Sequence, residues 1–561
     1  MKRFDRLPSG AICLAAAWLL AGATAAEPER GQPTAISFTW PELPREHVDT
    51  TMPIQRGKVI QVAAGGDLQA ALNGVQPGDT IVLEAGATYT GTFRLPKKAG
   101  EGWIVLKSSA EDRLPPPGTR ATPADASQMA KLVTERNGQP ALRAERGACR
   151  WRFVGIEFAV APKVAQLSTI VELSHQSTQL EDVPSHFVFD RVYLHGNPEL
   201  NSQRGLAMNS RWTAVIDSWI DECHIHGFDS QAICTWNGPG PFKIENCFLE
   251  GGSENVMFGG AKNSAECMVA SDIEIRRCHF YKNPAWATLK YPNNWAVKNL
   301  FEIKTARRVL LEGNVFENCW AEAQTGYAFV LKSSSPSQGQ PWDTTCDITI
   351  RYNRIINCVN GVAIARHSSS GPVTPGAEPT SRILFEHNVF ERFGSRSDFP
   401  AESAGRMFQV AGRDFTFRHN TSWNDVNMIS LTKPATDNLV FLDNLMTPGS
   451  YGVKPDGGGV GWNAGLGSHV RGESMMRGNT IVRVGSERAR SSDPRSYPDG
   501  NLWFDSFAEA GVDPQTYRLL PGSKAEGAAS DGTDPGADVD AVLAATSGVR
   551  ADFPRQDVGK P

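Results

Sequence analysis

Short apolar runs that end in a polar residue recur along most of this chain. The phrase "LLEGNVFENC", which ends at Cys319, returns as "TIRYNRIINC", which ends at Cys358. With Asn314 and Asn353 taken as position zero, the residue three places earlier is apolar in all 11 phrases that align. In a chain that is 40% hydrophobic, chance gives about four. The zero positions are Ile156, Val192, Ser218, Cys247, Cys278, Asn314, Asn353, Asn388, Asn420, Asn444 and Asn479, with Cys223 as an alternative to Ser218.

The phrase is constant while the spacer varies, because consecutive zero positions lie 24 to 39 residues apart. Helical repeats keep their length, whereas short strands joined by loops tolerate such variation. Apolar residues at positions minus five and minus three alternate as they do in a strand. Asn accepts the left-handed backbone of a bend, and stacked Asn amides can form a hydrogen-bonded ladder. The pattern therefore predicts strand, bend and strand in each coil of a solenoid, with an antiparallel sandwich as the alternative.

The repeat sets the expected domain organisation of the 561 residues. A solenoid grows without a size limit on its core, so one long unit replaces the several domains that length alone suggests. Asp67 is a candidate N-cap for a short helix that covers the first coil and blocks edge pairing. The predicted regions are a signal peptide at 1–26, a leader at 27–57, the solenoid at 58–485, and a C-terminal cap and tail at 486–561.

The N-terminus has the pattern of an export signal. "MKRFDR" is basic, "AICLAAAWLLAG" is apolar, and Ala23-Thr24-Ala25 has small residues at a cleavage site. An uncleaved anchor is the alternative, and no later segment is long and apolar enough to span a membrane. We expect a periplasmic or secreted monomer.

Composition limits the classes of partner that this chain can bind and the ways in which its cysteines can pair. A net charge of -5 and a pI near 6.2 argue against nucleic acid. Loss of Cys13 with the signal leaves nine cysteines, so at least one is unpaired. Cys247 and Cys278 share position zero on adjacent coils, where either a disulfide or stacked buried thiols can form.

The segments "PGDTIVLEAGATYTG" and "VLLEGNVFENC" resemble the pectate-lyase-like superfamily of right-handed parallel β-helices. "DSQAICTWNGPGPFKIENCFLEGGSENVMFGGA" also resembles exported bacterial β-helix proteins without an assigned activity. The resemblance covers roughly residues 57 to 545 and implies an all-β fold, a single right-handed parallel β-helix of about a dozen coils. It also implies a carbohydrate ligand along the outer face of one sheet. The galacturonan hydrolases of this superfamily carry an Asp-Asp pair, which is missing near "LHG" and "HIHGFD", so two-carboxylate hydrolysis is disfavoured.

A row of cations is the first candidate for catalysis. The strands "NLFEIK", "YAFVLK", "GVAIAR" and "RMFQVA" align so that Lys304, Lys332 and Arg366 point outward, about 4.8 Å apart. Like charges this close lower a lysine pKa, so Lys332 can act as the base while the row binds a uronate carboxylate. The alternative is that these are strand-end cations that extend into solvent. The same alignment places inward Phe301, Ile303, Phe329, Leu331, Ala363, Ala365, Phe408 and Val410.

Two residues beside this row are candidates for substrate binding. Glu302 can pair with Lys304 or hold a calcium ion, the one cofactor that the sequence suggests. His367 follows Arg366 directly.

A second group of candidates lies in the loops. His226 and Trp236 belong to a cluster with His224, Asp229 and Glu254, in which the Trp can stack on a sugar. Lys290 and Tyr291, in "TLKYPNNW", can close over a groove. The alternative is a turn with satisfied histidines and a packed Trp.

Together these features predict an exported carbohydrate-active protein, a lyase that cleaves an acidic, uronate-containing polysaccharide by β-elimination. A non-catalytic glycan-binding or surface protein is the second hypothesis, and a glycoside hydrolase is the third.

Overall fold

Parallel strands form three long sheets that wind along one axis. The chain visits sheet 1, sheet 2 and sheet 3 in turn in each coil, which makes the molecule the predicted single right-handed parallel β-helix. Sheet 3, with 12 strands in the described residues, gives the expected dozen coils. The computed structural model describes residues 39–174, 177–334, 340–368, 373–400, 405–484 and 493–551.

The strand bounds follow sheet by sheet. Sheet 1 contains Val59–Val62, Thr80–Leu83, Ile104–Ser108, Cys149–Val154, Ser185–Asp190, Arg211–Ile216, Phe242–Glu245, Ser271–Arg276, Ala306–Glu312, Thr345–Arg351, Ser381–Glu386, Arg413–Arg418, Thr436–Leu442, Val470–Arg471 and Met475–Arg477. Sheet 2 contains Thr88–Thr90, Ala130–Thr134, Ile156–Val160, Tyr193–His195, Trp219–Cys223, Phe248–Gly251, His279–Tyr281, Val315–Cys319, Arg354–Cys358, Val389–Phe393, Thr421–Asn424, Leu445–Met446, Thr480–Val482 and Leu502–Phe504. Sheet 3 contains Phe93–Leu95, Leu142–Ala144, Val171–Leu173, Arg204–Met208, Gln231–Thr235, Glu254–Phe258, Asn299–Ile303, Tyr327–Lys332, Asn360–Ala365, Arg406–Val410, Asn427–Leu431 and Val453–Pro455.

The remaining elements are short. Two strand pairs lie outside the three sheets: Gln166–Leu167 with Asn201–Ser202, and Val512–Asp513 with Arg518–Leu519. The α-helices are Leu68–Gly74, Trp462–Gly465, Phe507–Ala510 and Val539–Ala545.

The bend between sheet 1 and sheet 2 is the repeated phrase. Asn314, Asn353 and Asn388 lie on consecutive coils and are joined by side-chain hydrogen bonds of 3.0 Å. Ser218 is confirmed at position zero, because its carbonyl accepts from Phe248 N just as that of Cys247 accepts from the strand after it. The residue before position zero takes the left-handed conformation in successive coils, with His387 at φ 50° as one example.

The apolar positions three residues before the bend stack in register inside the solenoid. Phe385 pairs with Ile350 on one side and with Phe417 on the other, and the two phenyl rings lie 5.4 Å apart. Both phenylalanines are buried in the main core, as predicted. This column runs through all the coils of the repeated phrase, from Phe153 to Met476.

One predicted register is wrong. Val362 lies opposite Phe329 and Phe408, and Lys332 lies opposite Ala365. Val362 and Ile364 therefore face the core, whereas the prediction turned Ala363 and Ala365 inward. Every side chain in "VAIA" is apolar, so the alternation of the sequence does not distinguish the two faces.

The cysteines remain thiols. All nine that the structure describes are unpaired. Cys247 and Cys278 do stack on adjacent coils, where the Cys278 sulfur accepts from Cys247 N at 3.4 Å. The stacked-thiol alternative is the one that the fold adopts.

Both ends of the solenoid carry additional segments. The helix Leu68–Gly74 begins at the predicted N-cap, where the Asp67 carboxylate accepts from Ala70 N, and it contacts strands of the first coil. Sheet 2 continues to Leu502–Phe504, beyond the predicted solenoid end at 485, through a segment whose Ser, Asp, Pro and Gly content hides the strand. The predicted signal peptide lies outside the described residues, and within those residues no helix has the length and apolarity to cross a membrane.

The described part of the predicted leader lies along the outside of sheet 1. Arg45 N donates to Asp272, and Arg152 donates to the carbonyl oxygens of Thr50 and Thr51. The leader therefore packs lengthwise on the coils.

Candidate functional site

The outer face of sheet 3 carries a charged centre between two apolar patches. Ala207, Cys234 and Met257 form one patch, and Val330 and Ala363 belong to the other, both separate from the main core. Glu302 is in register with Met257 on one side and Val330 on the other. A carboxylate therefore lies on an otherwise apolar row.

Glu302 is shared by two lysines. Its Oε1 atom lies 3.0 Å from Lys332 Nζ and 3.4 Å from Lys304 Nζ. The Glu302 side chain is 0% exposed, while those of Lys304 and Lys332 are 21% and 19% exposed. The lysines thus lie above the carboxylate and face solvent in part.

The charges of this centre oppose the sequence-based expectation. Burial lowers the pKa of Lys304, but attraction to Glu302, Glu254 and Asp229 outweighs it and the pKa is raised. Burial raises the pKa of Glu302, but Lys332 and Lys304 outweigh it and the pKa is lowered. The expected repulsion between lysines is cancelled because an ionised carboxylate lies between them.

A second buried carboxyl lies beside Glu302. Glu254 pairs in register with Gln231 and Asn299, and its Oε2 accepts from Gln231 Nε2 at 2.7 Å. Burial, with repulsion from Glu302 and Asp229, raises the pKa of Glu254 to about 8. Glu254 is therefore mostly protonated at neutral pH.

One more ion pair completes the centre. Lys298 contacts the Asp229 carboxylate and lies 4.0 Å from Glu254 Oε1. With Glu254 protonated, the three ammonium groups of Lys298, Lys304 and Lys332 face two carboxylates. The centre therefore has a net positive charge at neutral pH.

Arg366 is not part of this row. The register places it one residue past Ala365, which takes the position beside Lys332. Its guanidinium donates to the Ala435 carbonyl at 3.1 Å and pairs with Asp437 at 3.3 Å. The predicted row of three cations is thus a pair of lysines.

His367 lies on the coil next to that of Lys332. It lies two residues past Ala365, and the backbones of the two coils remain joined there because Ser368 N donates to the Ser333 carbonyl at 2.8 Å. Burial, then repulsion from Arg366, lowers the pKa of His367. Its imidazole is therefore neutral at neutral pH and only partly buried.

The remaining candidates do not meet in one place. His226 precedes the strand Gln231–Thr235 and stacks on Trp295 at 3.9 Å, while Trp236 follows that strand. Trp236 packs on the apolar patch with Arg204 over its ring. The predicted cluster is thus divided between the two ends of the sheet 3 strands, with His226 before the strand and Trp236 after it.

The loop residues Lys290 and Tyr291 follow the 3-10 helix Pro284–Thr288. Tyr291 is 90% exposed. The loop connects sheet 2 to sheet 3, and His226 lies in another connection between the same two sheets.

Sequence reasoning did not assign a role to the supporting residues Asn299 and Lys298. The Asn299 Nδ2 atom donates to Glu302 Oε2 at 2.8 Å. Lys298 and Asn299 directly precede "LFEIK", so the strand alignment that identified Lys304 could also have identified them.

No protein-family model matches this chain, and no curated protein matches its sequence. Among solved structures, a family 6 alginate lyase, AlyGC, is 15% identical with a TM-score of 0.42, over 80% of this chain and 53% of that one. The chain thus matches about half the length of that enzyme. The pectate lyase Pel9A is 14% identical with a TM-score of 0.38, over 86% and 96% of the two chains. A mannuronic-acid-specific family 6 lyase from human gut microbiota is 12% identical with a TM-score of 0.40, over 81% and 92%. These likenesses concern the fold alone.

Proposed function

We propose that this chain binds an acidic, uronate-containing polysaccharide on the outer face of sheet 3 and cleaves it by β-elimination. The observation that carries the proposal is the lysine pair, with Lys304 and Lys332 held over the buried carboxylate of Glu302. The net positive charge of the centre favours a uronate carboxylate at the exposed side of the ammonium groups. Neutralising that carboxylate acidifies the C–H bond at C5, which elimination requires.

The geometry changes the role of Lys332 from the one expected from sequence. The Lys332 Nζ atom forms an ion pair at 3.0 Å with the buried Glu302 carboxylate, and a lysine held in this way suits carboxylate binding better than proton abstraction. His367, neutral and on the adjacent coil, suits the base. In the proposed step the imidazole takes the C5 proton, the C4–C5 double bond forms, the C4–O4 bond breaks, and the leaving oxygen takes a proton from water. Arg366 is left with a structural role at Asp437.

Glycan binding without cleavage is the second candidate function. The feature that favours it is the shared carboxylate itself, because Glu302 forms ion pairs with both lysines and holds them in an arrangement suited to binding. Hydrolysis has less support. Glu254 and Glu302 have the raised and lowered pKa values of an acid and a base, but both are 0% exposed and out of reach of a sugar.

The proposal includes export. The basic and apolar N-terminal pattern supports a periplasmic or extracellular location, where large polysaccharides are encountered.

The test is a panel of polymannuronate, polyguluronate, polygalacturonate and glucuronate-containing polymers, with neutral dextran as the control. Ultraviolet absorbance of unsaturated ends is the expected result. Retention on an immobilised uronate polymer without product would leave the binding function alone. New reducing ends without that absorbance would indicate a hydrolase. Neither retention nor product on any uronate polymer would refute the proposal.

A further inference from the structure

The C-terminal segment 530–551, here called the strap, lies against the bends between sheet 1 and sheet 2. Asp538 N donates to His387 Nδ1 at 3.2 Å, and Arg277 donates to the carbonyl oxygens of Ala545 and Ser547 at 3.0 and 2.9 Å. His387 and Arg277 occupy the left-handed position before the bend, several coils apart. The strap therefore crosses successive coils lengthwise, away from the lysine pair on sheet 3.

At one point the strap and two coils bring together three groups that can bind a metal. His419 Nε2 lies 3.0 Å from an oxygen of Asp531 and 3.8 Å from an oxygen of Asp443. The three ligand atoms all lie within 4.8 Å of one another, and no other such group occurs in the part of the chain that the structure describes. His419 and Asp443 are only 4% and 3% exposed. A cleft of about 490 Å³, lined by His387, His419 and Asp531 among others, opens beside them.

His419 hydrogen-bonds to only one of the two carboxylates beside it, that of Asp531. The Nε2 atom can donate one hydrogen bond. The oxygen of Asp443 lies 3.8 Å from it, which is too far for a hydrogen bond. The other ring nitrogen, Nδ1, is buried without a hydrogen-bond partner in the structure. The Asp531 carboxylate, 3.0 Å away, accepts the proton of Nε2. A divalent ion bound here would take the place of that proton, which Nδ1 can then carry.

The three groups are held in place by neighbours. Ser530 N and Oγ donate to Asp443 at 2.6 and 2.8 Å, and Thr533 N and Oγ1 donate to the Asp531 oxygen that does not face His419. The His419 ring stacks on that of His387 at 4.9 Å. Such outer contacts orient the ligands of metal sites.

We propose that His419, Asp443 and Asp531 bind a divalent transition-metal ion, Zn²⁺ being the ion tested, which joins the strap to the solenoid. One imidazole and two carboxylates form a mixed nitrogen and oxygen donor set, which suits Zn²⁺ or Mn²⁺ and is unusual for calcium. Two carboxylates beside one imidazole also leave negative charge that a divalent ion can balance. A fourth position, toward the cleft, is open to water.

Zn²⁺ binding to the chelator-treated full chain tests the proposal, by calorimetric titration and by thermal unfolding. We expect a single saturable Zn²⁺ ion per chain and a higher unfolding temperature. Asp531→Asn keeps the size and the Thr533 hydrogen bond, and it should weaken Zn²⁺ binding about tenfold or more. The matched control is Asp534→Asn, in the same exposed loop, which should bind as the parent chain does.

Zinc can also bind thiols, so both variants are made in a Cys267→Ala background, which removes the exposed cysteine. No saturable binding, or equal binding by Asp531→Asn and the parent, would refute the site. Ca²⁺ raising the unfolding temperature as much as Zn²⁺ would refute the proposed metal class.

Discussion

Asn353 accepts two hydrogen bonds from Asn314, with its Oδ1 atom 2.8 Å from the Asn314 backbone nitrogen and 3.0 Å from the side-chain nitrogen. Its own Nδ2 donates to the Leu311 carbonyl and to Asn388 Oδ1, both at 3.0 Å. Both asparagines are fully buried. One amide thus satisfies polar groups on three consecutive coils.

Asn353→Ala should therefore lower the free energy of unfolding by about 1–3 kcal/mol, because the buried Asn314 N–H loses its acceptor. Urea unfolding measures the change. Asn293→Ala, at an exposed loop position, is the control and should have little effect. A loss of only a few tenths of a kcal/mol at Asn353 would mean that the ladder does not stabilise the fold.

The Asn ladder could be predicted because the same bend recurs from coil to coil and an Asn recurs at the same position of that bend. The register of Arg366 could not be predicted, since "VAIA" presents apolar side chains to both faces of the sheet. The sharing of Glu302 by two lysines also depends on which strands become neighbours and how deeply the carboxylate is buried. The sequence suggested a pair between Glu302 and Lys304, but it suggested repulsion between the lysines and not a carboxylate shared by both.

The core column gives a second prediction. Phe385 stacks on Phe417 at an interplanar angle of 19°, and Phe385 has no exposed surface. Phe385→Ala should cost about 3–5 kcal/mol through lost apolar contact and a cavity. Phe228→Ala, at a 69% exposed side chain, is the matched control. Unfolding of the Phe385 variant at the parent's urea midpoint would contradict the inward position.

Glu254 should make stability depend on pH near neutrality. Its folded pKa of about 8 lies above the value of an unfolded glutamate, so the folded state holds a proton that the unfolded state releases. Stability should consequently fall as the pH rises between about 5 and 8, by at most roughly 1.4 kcal/mol per pH unit.

Glu254→Gln removes this titration and should flatten the curve across the same range. Urea unfolding at several pH values provides the measurement, with the exposed Glu101→Gln as control. If the parent and Glu254→Gln curves remain parallel, the proton is not held at Glu254.

The ion pair at the end of the strap should make stability depend on pH in the direction opposite to that of Glu254. Burial raises the pKa of Glu317, but His279 and Arg550 outweigh it and lower the pKa to about 2. A lowered carboxyl pKa stabilises the fold above the unfolded value, and this stability is lost as the pH falls toward about 2.

Arg550→Ala should remove part of this stability at neutral pH and leave a smaller loss on acidification. Acid unfolding monitored by circular dichroism tests this, with the exposed Arg495→Ala as control. Identical acid transitions in the parent and Arg550→Ala would show that the strap end contributes nothing through Glu317.

The lysine pair yields the prediction that decides its chemistry. Lys332→Ala should lose retention on the uronate polymer and, with it, elimination. It should also destabilise the chain by about 1–3 kcal/mol, because Glu302 keeps only one cation above it. A strand-end lysine that extends into solvent contributes little to stability, but the 3.0 Å contact of Lys332 with a buried carboxylate makes it more important. Lys433→Ala, at an exposed lysine, is the control.

Lys332→Arg separates binding from proton abstraction at this position. A guanidinium keeps the charge and the contact with Glu302 but does not lose its proton, so it can bind a carboxylate and cannot act as a base. If Lys332 binds the uronate, the arginine variant should retain most of the elimination rate. His367→Gln should then remain on the polymer while its rate falls about 10²–10⁴-fold, the usual contribution of a general base. The reverse pattern, an inactive Lys332→Arg that still binds the polymer and an active His367→Gln, would return the base role to Lys332, because the arginine would bind the uronate without being able to remove its proton.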